Sequence, residues 1–206
     1  SPCSAKVALM YDRHIAPLLL EALADTPVVL LNGARQTGKS TLIQDLGREA
    51  TYYTFDDPAV LAAVQADPFG FVNALKGAVC LDEVQRAPGI FLAIKAAVDR
   101  DRTPGSFLLT GSANVLLLPQ IADSLAGRME VLNLWPLAQS EIERQPLSMI
   151  DRLFSGQMPD KCHFERQDFI ARLSRGGYPE ALSRSGERRR EAWFESYLHT
   201  ILQRDV

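Results

Sequence analysis

Nine consecutive residues in the first quarter of the chain have the composition of a phosphate-binding loop. Eight of them match the pattern G-x-x-x-x-G-K-S/T and a threonine follows: Gly33, Ala34, Arg35, Gln36, Thr37, Gly38, Lys39, Ser40 and Thr41. Glycines let such a loop turn tightly, so that consecutive backbone N–H groups point at phosphate oxygens. Lys39 would reach the β- and γ-phosphates as a catalytic cation, and Ser40 would hold Mg²⁺ through its hydroxyl. The loop therefore predicts a binding site for ATP with Mg²⁺.

An acidic pair, Asp82 and Glu83, ends the apolar run that begins at Ala78. Ligands of open α/β sheets bind at the carboxyl ends of the strands, which is where this pair would lie. We expect Asp82 to be a second Mg²⁺ ligand and Glu83 to orient and polarise the attacking water. A strand that simply runs into a solvated acidic turn is the alternative, and the phosphate-binding loop upstream favours the functional interpretation.

Polar residues also follow the next apolar run, which is Phe107, Leu108 and Leu109. A side chain there would lie beside the acidic strand, within reach of the γ-phosphate or of the water. Ser112 or Asn114 could fill this catalytic role, and the sequence does not choose between them. Asn114 is equally suited to cap the helix that follows.

The elements that would position these residues alternate between short apolar runs and amphipathic segments, a pattern typical of an α/β sheet. Five strands are predicted: Val28–Leu31, Tyr52–Phe55, Val79–Leu81, Phe107–Leu109 and Met129–Leu134. Helices are predicted before and between them, over Ile15–Ala24, 39–48, 58–66, 69–76, Ile90–Val98 and Val115–Leu125. The alternation stops after Pro136, and the rest of the chain is predicted to be helix and loop.

This change of pattern divides the chain into an α/β core over residues 10–136 and a helical region over residues 137–206. Met10 is a candidate natural start, because Ser1 is not an initiator. The segment Glu187–Val206 has the pattern of an amphipathic helix and shows no stop signal. We therefore expect the natural protein to continue beyond Val206, with the helical region serving as a lid or as the start of a C-terminal region.

Composition and charge limit the classes of protein to which the chain can belong. With a net charge of −3, 47% apolar residues and 23% charged residues, the chain is close to globular averages, which excludes wholesale disorder. The three cysteines are odd in number and have no C-x-x-C spacing, which argues against a disulfide framework or a zinc site and indicates a reducing, cytoplasmic location. The uncharged stretch Thr103–Ala122 is long enough to cross a bilayer, but half of it is polar residues, proline or glycine, so no membrane span is predicted.

Six motifs, taken in order, resemble an AAA+ ATPase, and more narrowly the prokaryotic family in which an AAA+ domain precedes a C-terminal domain of unknown function. The motifs are NGARQTGKSTL, CLDEVQRAP, LLTGSAN, SLAGRMEVLNLWPL, GGYPEAL and LQRDV, and they cover most of residues 13–206. The resemblance implies a P-loop NTPase core with a five-stranded parallel sheet flanked by helices, followed by a small helical lid. It also implies that Gln85 supports the acidic pair. Ala34 departs from the family's usual proline, and the family's C-terminal domain is absent from this sequence.

The same resemblance places Arg128 at the position of the AAA+ arginine finger. There it would act in trans, on the site of a neighbouring subunit, so the resemblance also implies a homo-oligomer. An arginine that satisfies carbonyl groups at a helix C-terminus is the alternative interpretation.

Together these features predict a Mg²⁺-dependent ATPase of AAA+ type that couples ATP binding and hydrolysis to a conformational change on a target. One alternative is a P-loop kinase, against which the adjacent Asp-Glu pair argues. Another is a nucleotide-gated binding module that acts on DNA or a protein with little turnover. The basic cluster Arg188–Arg190, with Arg184 nearby, could contact nucleic acid, but a solvated helix face is favoured because the chain is acidic overall.

Overall fold

The computed structural model of the chain describes residues 11–47, 49–112, 125–145, 149–156 and 165–204. The chain divides into two compact units. The core unit is Ile15–Pro136, and the helical unit consists of the described residues before Ile15 and after Pro136. Residues 115–124 of the predicted helix Val115–Leu125, and the candidate residue Asn114, lie outside the described residues.

The core unit is built on one sheet of five parallel strands. They are β1 (Val28–Asn32), β2 (Thr51–Thr54), β3 (Val79–Asp82), β4 (Phe107–Gly111) and β5 (Met129–Asn133). Their order in the sheet is β2-β3-β4-β1-β5. The register pairs Val28 of β1 with Phe107 on one side and with Met129 on the other. The predicted five-stranded parallel sheet is confirmed, and its topology brings the carboxyl ends of β1, β3 and β4 to one edge.

Among the described residues of the core unit, one helix precedes β1, and four helices and a short 3₁₀ turn (Val84–Arg86) lie between the strands. The helices are α1 (Ala16–Asp25), α2 (Lys39–Asp45), α3 (Pro58–Ala66), α4 (Pro68–Ala74) and α5 (Ile90–Arg100). Helices α3 and α4 each begin with proline, and the side chains of Asp57 and Asp67 cap them by accepting backbone N–H bonds. Helix α2 ends before the predicted residue 48, because Gly47 adopts a left-handed φ of +61° that does not continue a helix.

Both faces of the sheet are apolar because helices pack against both of them. Alternate residues of β1 belong to two different core clusters, as expected of a strand whose side chains point to opposite sides. Val28 and Leu30 pack in the cluster that contains Ile94 of α5. Val29 and Leu31 pack in the cluster that contains residues of α1 and α2. The central strands are thus held rigidly, which fixes the loops that follow them.

The helical unit contains short helices and one long one. They are α6 (Gln139–Ile142), α7 (Met149–Phe154), α8 (Arg166–Arg175), α9 (Pro179–Leu182) and α10 (Glu187–Arg204). Tyr178, just before α9, packs against three aromatic rings of α10, which are Trp193, Phe194 and Tyr197. Within the described residues, no helix combines the length and the apolar character that crossing a bilayer requires.

Candidate functional site

The predicted phosphate-binding loop connects β1 to α2 at the carboxyl edge of the sheet. Gly38 precedes α2 with a φ of +94°, a left-handed conformation that glycine adopts without strain. Gly33 is required for a different reason, because a Cβ atom there would lie 2.4 Å from the carbonyl oxygen of Leu134. One glycine of the motif therefore makes the turn, and the other permits close packing of the loop.

Lys39 lies buried at the start of α2, with 5% of its surface exposed. Its Nζ donates hydrogen bonds of 2.9 Å to the carbonyl oxygens of Gly33 and Ala34. Burial lowers the pKa of Lys39, and the negative charges of the acidic pair oppose that effect. Phosphate oxygens could replace the two carbonyl oxygens, because a charge-assisted bond between two ions is stronger than one to a neutral acceptor.

The other loop residues differ in exposure. Thr37 is buried, and its Oγ1 donates a hydrogen bond of 2.9 Å to Ala34, which closes the turn. Arg35, Gln36 and Thr41 are exposed, and Gln36 has a left-handed φ of +62°. The loop thus places some of its predicted cofactor-binding residues against the protein and others towards solvent.

Asp82, the last residue of β3, is 4% exposed and accepts hydrogen bonds from three hydroxyl groups. Ser40 Oγ donates to its Oδ2 at 2.9 Å, and Tyr52 Oη donates to the same oxygen at 2.5 Å. Thr110 Oγ1 donates to Oδ1. The three donors come from α2, β2 and β4, so the fold brings the predicted ligands Ser40 and Asp82 together.

Tyr52 and Thr110 are partners of this site that the sequence analysis missed. Burial raises the pKa of Tyr52, and the hydrogen bond to Asp82 raises it further, so the phenol stays protonated and can donate. The sequence signal for a role in the site was weak, because each is a hydroxyl residue in a short segment whose pattern predicts only a strand of the sheet. Nothing in the sequence pattern says which strand lies beside β3.

Glu83 follows β3 in an unusual backbone conformation, with a φ of +60°. Its backbone N–H donates to Thr110 Oγ1 at 3.1 Å, and its carboxylate accepts a hydrogen bond from Gln85 Nε2. The side-chain oxygen of Gln85, Oε1, is buried and has no hydrogen-bond partner among the described residues. A left-handed conformation at a residue other than glycine is often found at functional sites, where surrounding contacts maintain it.

The donor set of the site fits Mg²⁺. An octahedral Mg²⁺ site has metal–oxygen distances of about 2.1 Å, which places neighbouring ligand oxygens about 3 Å apart. Ser40 Oγ and Asp82 Oδ2 are separated by 2.9 Å. Across the described ranges, no group of three or more His, Cys, Asp or Glu side chains is arranged to hold a metal ion. Two oxygen ligands from the protein, Ser40 and Asp82, fit an Mg²⁺ ion whose remaining ligands are phosphate oxygens and water.

The structure places the other two predicted catalytic residues at opposite edges of the sheet. Ser112 directly follows β4 and is partly buried. Arg128 precedes β5, and its Nε donates a hydrogen bond of 2.6 Å to Asp99 near the end of α5. Arg128 also lines an open pocket of about 500 Å³ together with Arg102 and Glu130. Because strands are parallel, this residue lies at the amino edge of the sheet, opposite the phosphate-binding loop.

The parallel sheet, the glycine-rich loop after β1 and the acidic pair after β3 together define a P-loop NTPase core. A family model described as an AAA domain matches residues 25–143, more than half of the chain, and the chain belongs to this family. A second model, described as a domain of unknown function (DUF8612), matches residues 166–206. The prediction that the chain belongs to a family in which an AAA+ domain precedes a domain of unknown function is confirmed. The expectation that this sequence lacks the domain of unknown function is wrong, because the second model matches residues 166–206.

Two curated relatives, both described as uncharacterized proteins, come from Mycobacterium bovis and Mycobacterium tuberculosis. Each is 35% identical to this chain over 199 residues, and the match covers 96% of this chain but only 40% of the relative. Among solved structures, the Walker-type ATPase PABY2304 of Pyrococcus abyssi is similar, with a TM-score of 0.56 and 17% identity over 95% of this chain and 76% of that one. At such low identity the likeness establishes the fold, which is that of P-loop ATPases.

Proposed function

We propose that this AAA domain binds ATP with Mg²⁺, hydrolyses it, and uses the cycle to drive a conformational change on a protein or nucleic-acid target. The observation that carries the proposal is the position of Asp82. Its carboxylate, at the end of β3, accepts a 2.9 Å hydrogen bond from Ser40 of the phosphate-binding loop. Two oxygen ligands from different elements thus meet at one point beside the loop, as Mg²⁺-assisted phosphoryl transfer requires.

Each side chain then has a distinct role. Lys39 would exchange the carbonyl oxygens of the loop for β- and γ-phosphate oxygens and place its positive charge on them. Ser40 and Asp82 would hold Mg²⁺, whose chemical contribution is to neutralise negative charge on the phosphates. Glu83 would orient the attacking water and polarise it. Ser112, after the neighbouring strand, would contact the γ-phosphate or that water.

Phosphate release from ATP, with water as the only acceptor, tests the proposal. Steady turnover is expected. Dependence on an added acceptor would instead indicate a kinase, and tight nucleotide binding without turnover would indicate a nucleotide-gated module.

Two variants separate binding from hydrolysis. Lys39→Ala removes a buried positive charge from the phosphates and should weaken ATP binding about 100-fold in calorimetry. Glu83→Gln keeps the shape of the side chain and loses its charge, so it should bind ATP normally and lose turnover by about 10²- to 10⁴-fold. Normal turnover in Glu83→Gln would show that another residue activates the water.

We further propose that Arg128 acts on the site of a neighbouring subunit in a homo-oligomer. The five residues from Val28 to Asn32, at about 3.3 Å each, separate the amino edge of the sheet from the carboxyl edge by roughly 16 Å. The side chain of Arg128 is too short to cover that distance within one subunit. Supplied in trans, an arginine can stabilise the charge that develops on the γ-phosphate.

Mixed oligomers test this role. Arg128→Ala should bind ATP normally and hydrolyse it about 1,000-fold more slowly. Glu83→Gln subunits are inactive in their own sites but keep Arg128. Mixing the two variants should restore turnover at interfaces where Glu83 of one subunit faces Arg128 of its neighbour. Absence of recovery under conditions where mixed oligomers form would contradict a role in trans. The experiment uses the full chain.

A further inference from the structure

We propose that Tyr52 positions Asp82 for Mg²⁺ binding, and that it acts through Asp82 without touching the ion. Its phenol hydroxyl donates a hydrogen bond of 2.5 Å to Asp82 Oδ2. The inference rests on the proposed function, because it adds a positioning residue to the same Mg²⁺ site.

The register of the sheet explains how Tyr52 reaches the carboxylate. β2 is the edge strand beside β3, and it pairs Tyr52 with Cys80 and Thr54 with Asp82. Alternate residues share a face of the sheet, so Tyr52 lies on the same face as Asp82, offset from it by two residues along the strand. The long phenol side chain spans this offset, and its hydroxyl arrives at the carboxylate.

The two oxygens of Asp82 have separate donors. Thr110 donates to Oδ1 from β4, while Tyr52 donates to Oδ2 from β2. Ser40 also donates to Oδ2, but the two donors that lie on strands hold one oxygen each, from opposite sides of β3, and so fix the plane of the carboxylate. It stays fixed when the Ser40 hydroxyl is engaged by a metal ion. Groups that orient a metal ligand in this way raise metal affinity, because the ligand needs no ordering when the ion binds.

Packing alone does not account for Tyr52. The residue is 36% exposed on an edge strand, and it belongs to neither of the two hydrophobic clusters of the described residues. The next residue, Tyr53, packs edge-on against Phe71, with ring centroids 5.5 Å apart, as part of the core. Removing the Tyr52 hydroxyl therefore leaves core packing intact and removes the hydrogen bond to Asp82, together with the hydroxyl's contacts to Ser40 and Thr54.

The test is a titration of Mg²⁺ into protein that holds a fluorescent, non-hydrolysable ATP analogue. Tyr52→Phe should bind the analogue in EDTA as tightly as the wild type. It should require about 10-fold more Mg²⁺ to reach half of the Mg²⁺-dependent change in the analogue's fluorescence. Tyr53→Phe is the matched control, because it removes a hydroxyl from the other face of the same strand, and it should behave as the wild type. An equal or lower Mg²⁺ requirement in Tyr52→Phe would overturn the proposal. So would weaker binding of the analogue in EDTA, which would mean that Tyr52 supports the loop as a whole.

A double-mutant cycle shows whether the effect passes through Asp82. In an Asp82→Asn background, Tyr52→Phe should cause no further loss of Mg²⁺ affinity. A further loss would place the effect elsewhere and overturn the inference. Failure of the proposed function has a different signature, since the wild type itself would then bind the analogue equally with and without Mg²⁺ and release no phosphate from ATP.

Discussion

Two buried carboxylates, one in each unit of the molecule, differ in the donors that surround them. Asp82 in the core unit is 4% exposed and Glu141 in the helical unit is 6% exposed. Asp82 accepts hydrogen bonds from three hydroxyl groups. Glu141 accepts them from the Arg13 guanidinium at 3.1 Å and from the backbone amides of His14 and Ala138 at 2.8 Å each. Similar burial is therefore combined with different hydrogen-bonding chemistry.

The difference separates a carboxylate suited to binding from one suited to structure. A hydroxyl can donate or accept, so a hydroxyl beside Asp82 can rotate and offer its own oxygen to a ligand. A guanidinium or amide N–H only donates, and removing its acceptor leaves a buried donor unsatisfied. Burial alone would raise the pKa of Glu141, but the amide bonds and Arg13 outweigh burial and hold that pKa below its ordinary value. Glu141 thus links distant segments of the helical unit and is an anion at neutral pH.

The largest effect should come from the carboxylate with exchangeable partners. Asp82→Asn removes a charged Mg²⁺ ligand and should weaken Mg²⁺-dependent nucleotide binding about 100-fold or more. Glu141→Gln is the matched control, and its Mg²⁺ dependence should equal that of the wild type. Equal losses in the two variants would break the distinction between a binding carboxylate and a structural one.

The second expected effect is on stability, and here Glu141→Gln should cause a larger loss than Asp82→Asn. Glu141→Gln weakens charged hydrogen bonds and should cost the helical unit about 2 kcal/mol, whereas Asp82→Asn should change stability by less than about 1 kcal/mol. Urea unfolding measures both losses, followed by far-UV circular dichroism for the whole chain and by tryptophan fluorescence for the helical unit. In a Trp135→Phe background, Trp193 of the aromatic cluster is the single tryptophan and reports on the helical unit. A larger loss in Asp82→Asn would contradict the assignment.

The smallest effect is a dependence of stability on pH. Because the folded pKa of Glu141 lies below the ordinary glutamate value of 4.5, its contribution to stability is present above 4.5 and is lost as the pH falls through the folded pKa. The difference in the free energy of unfolding between wild type and Glu141→Gln should therefore have its full value at pH 7 and should decrease as the pH falls below 4.5. A difference that stays constant down to acid unfolding would show that the charge of Glu141 is not what stabilises the unit.

The core unit was far more predictable than the contacts of its site. Strands β1, β3 and β4 are buried, largely apolar runs, and a buried parallel sheet leaves that signal in the chain. The predicted glycine-rich loop likewise connects β1 to α2 in the structure. In contrast, Tyr52 and Thr110 could not be predicted as neighbours of Asp82, from which they lie 30 and 28 positions away.

The sequence by itself determined which groups could do chemistry, because the loop and the acidic pair are each formed by consecutive residues whose conformation is local. It also determined the faces of the strands, since side chains alternate along an extended chain. Only the tertiary structure decided which strands are neighbours, because helical crossovers allow parallel strands to be ordered in several ways. That order brings Ser40, Tyr52 and Thr110 to one carboxylate. The same reason applies to Glu141, whose charged partner Arg13 lies 128 positions away and is recognisable only after the chain has folded.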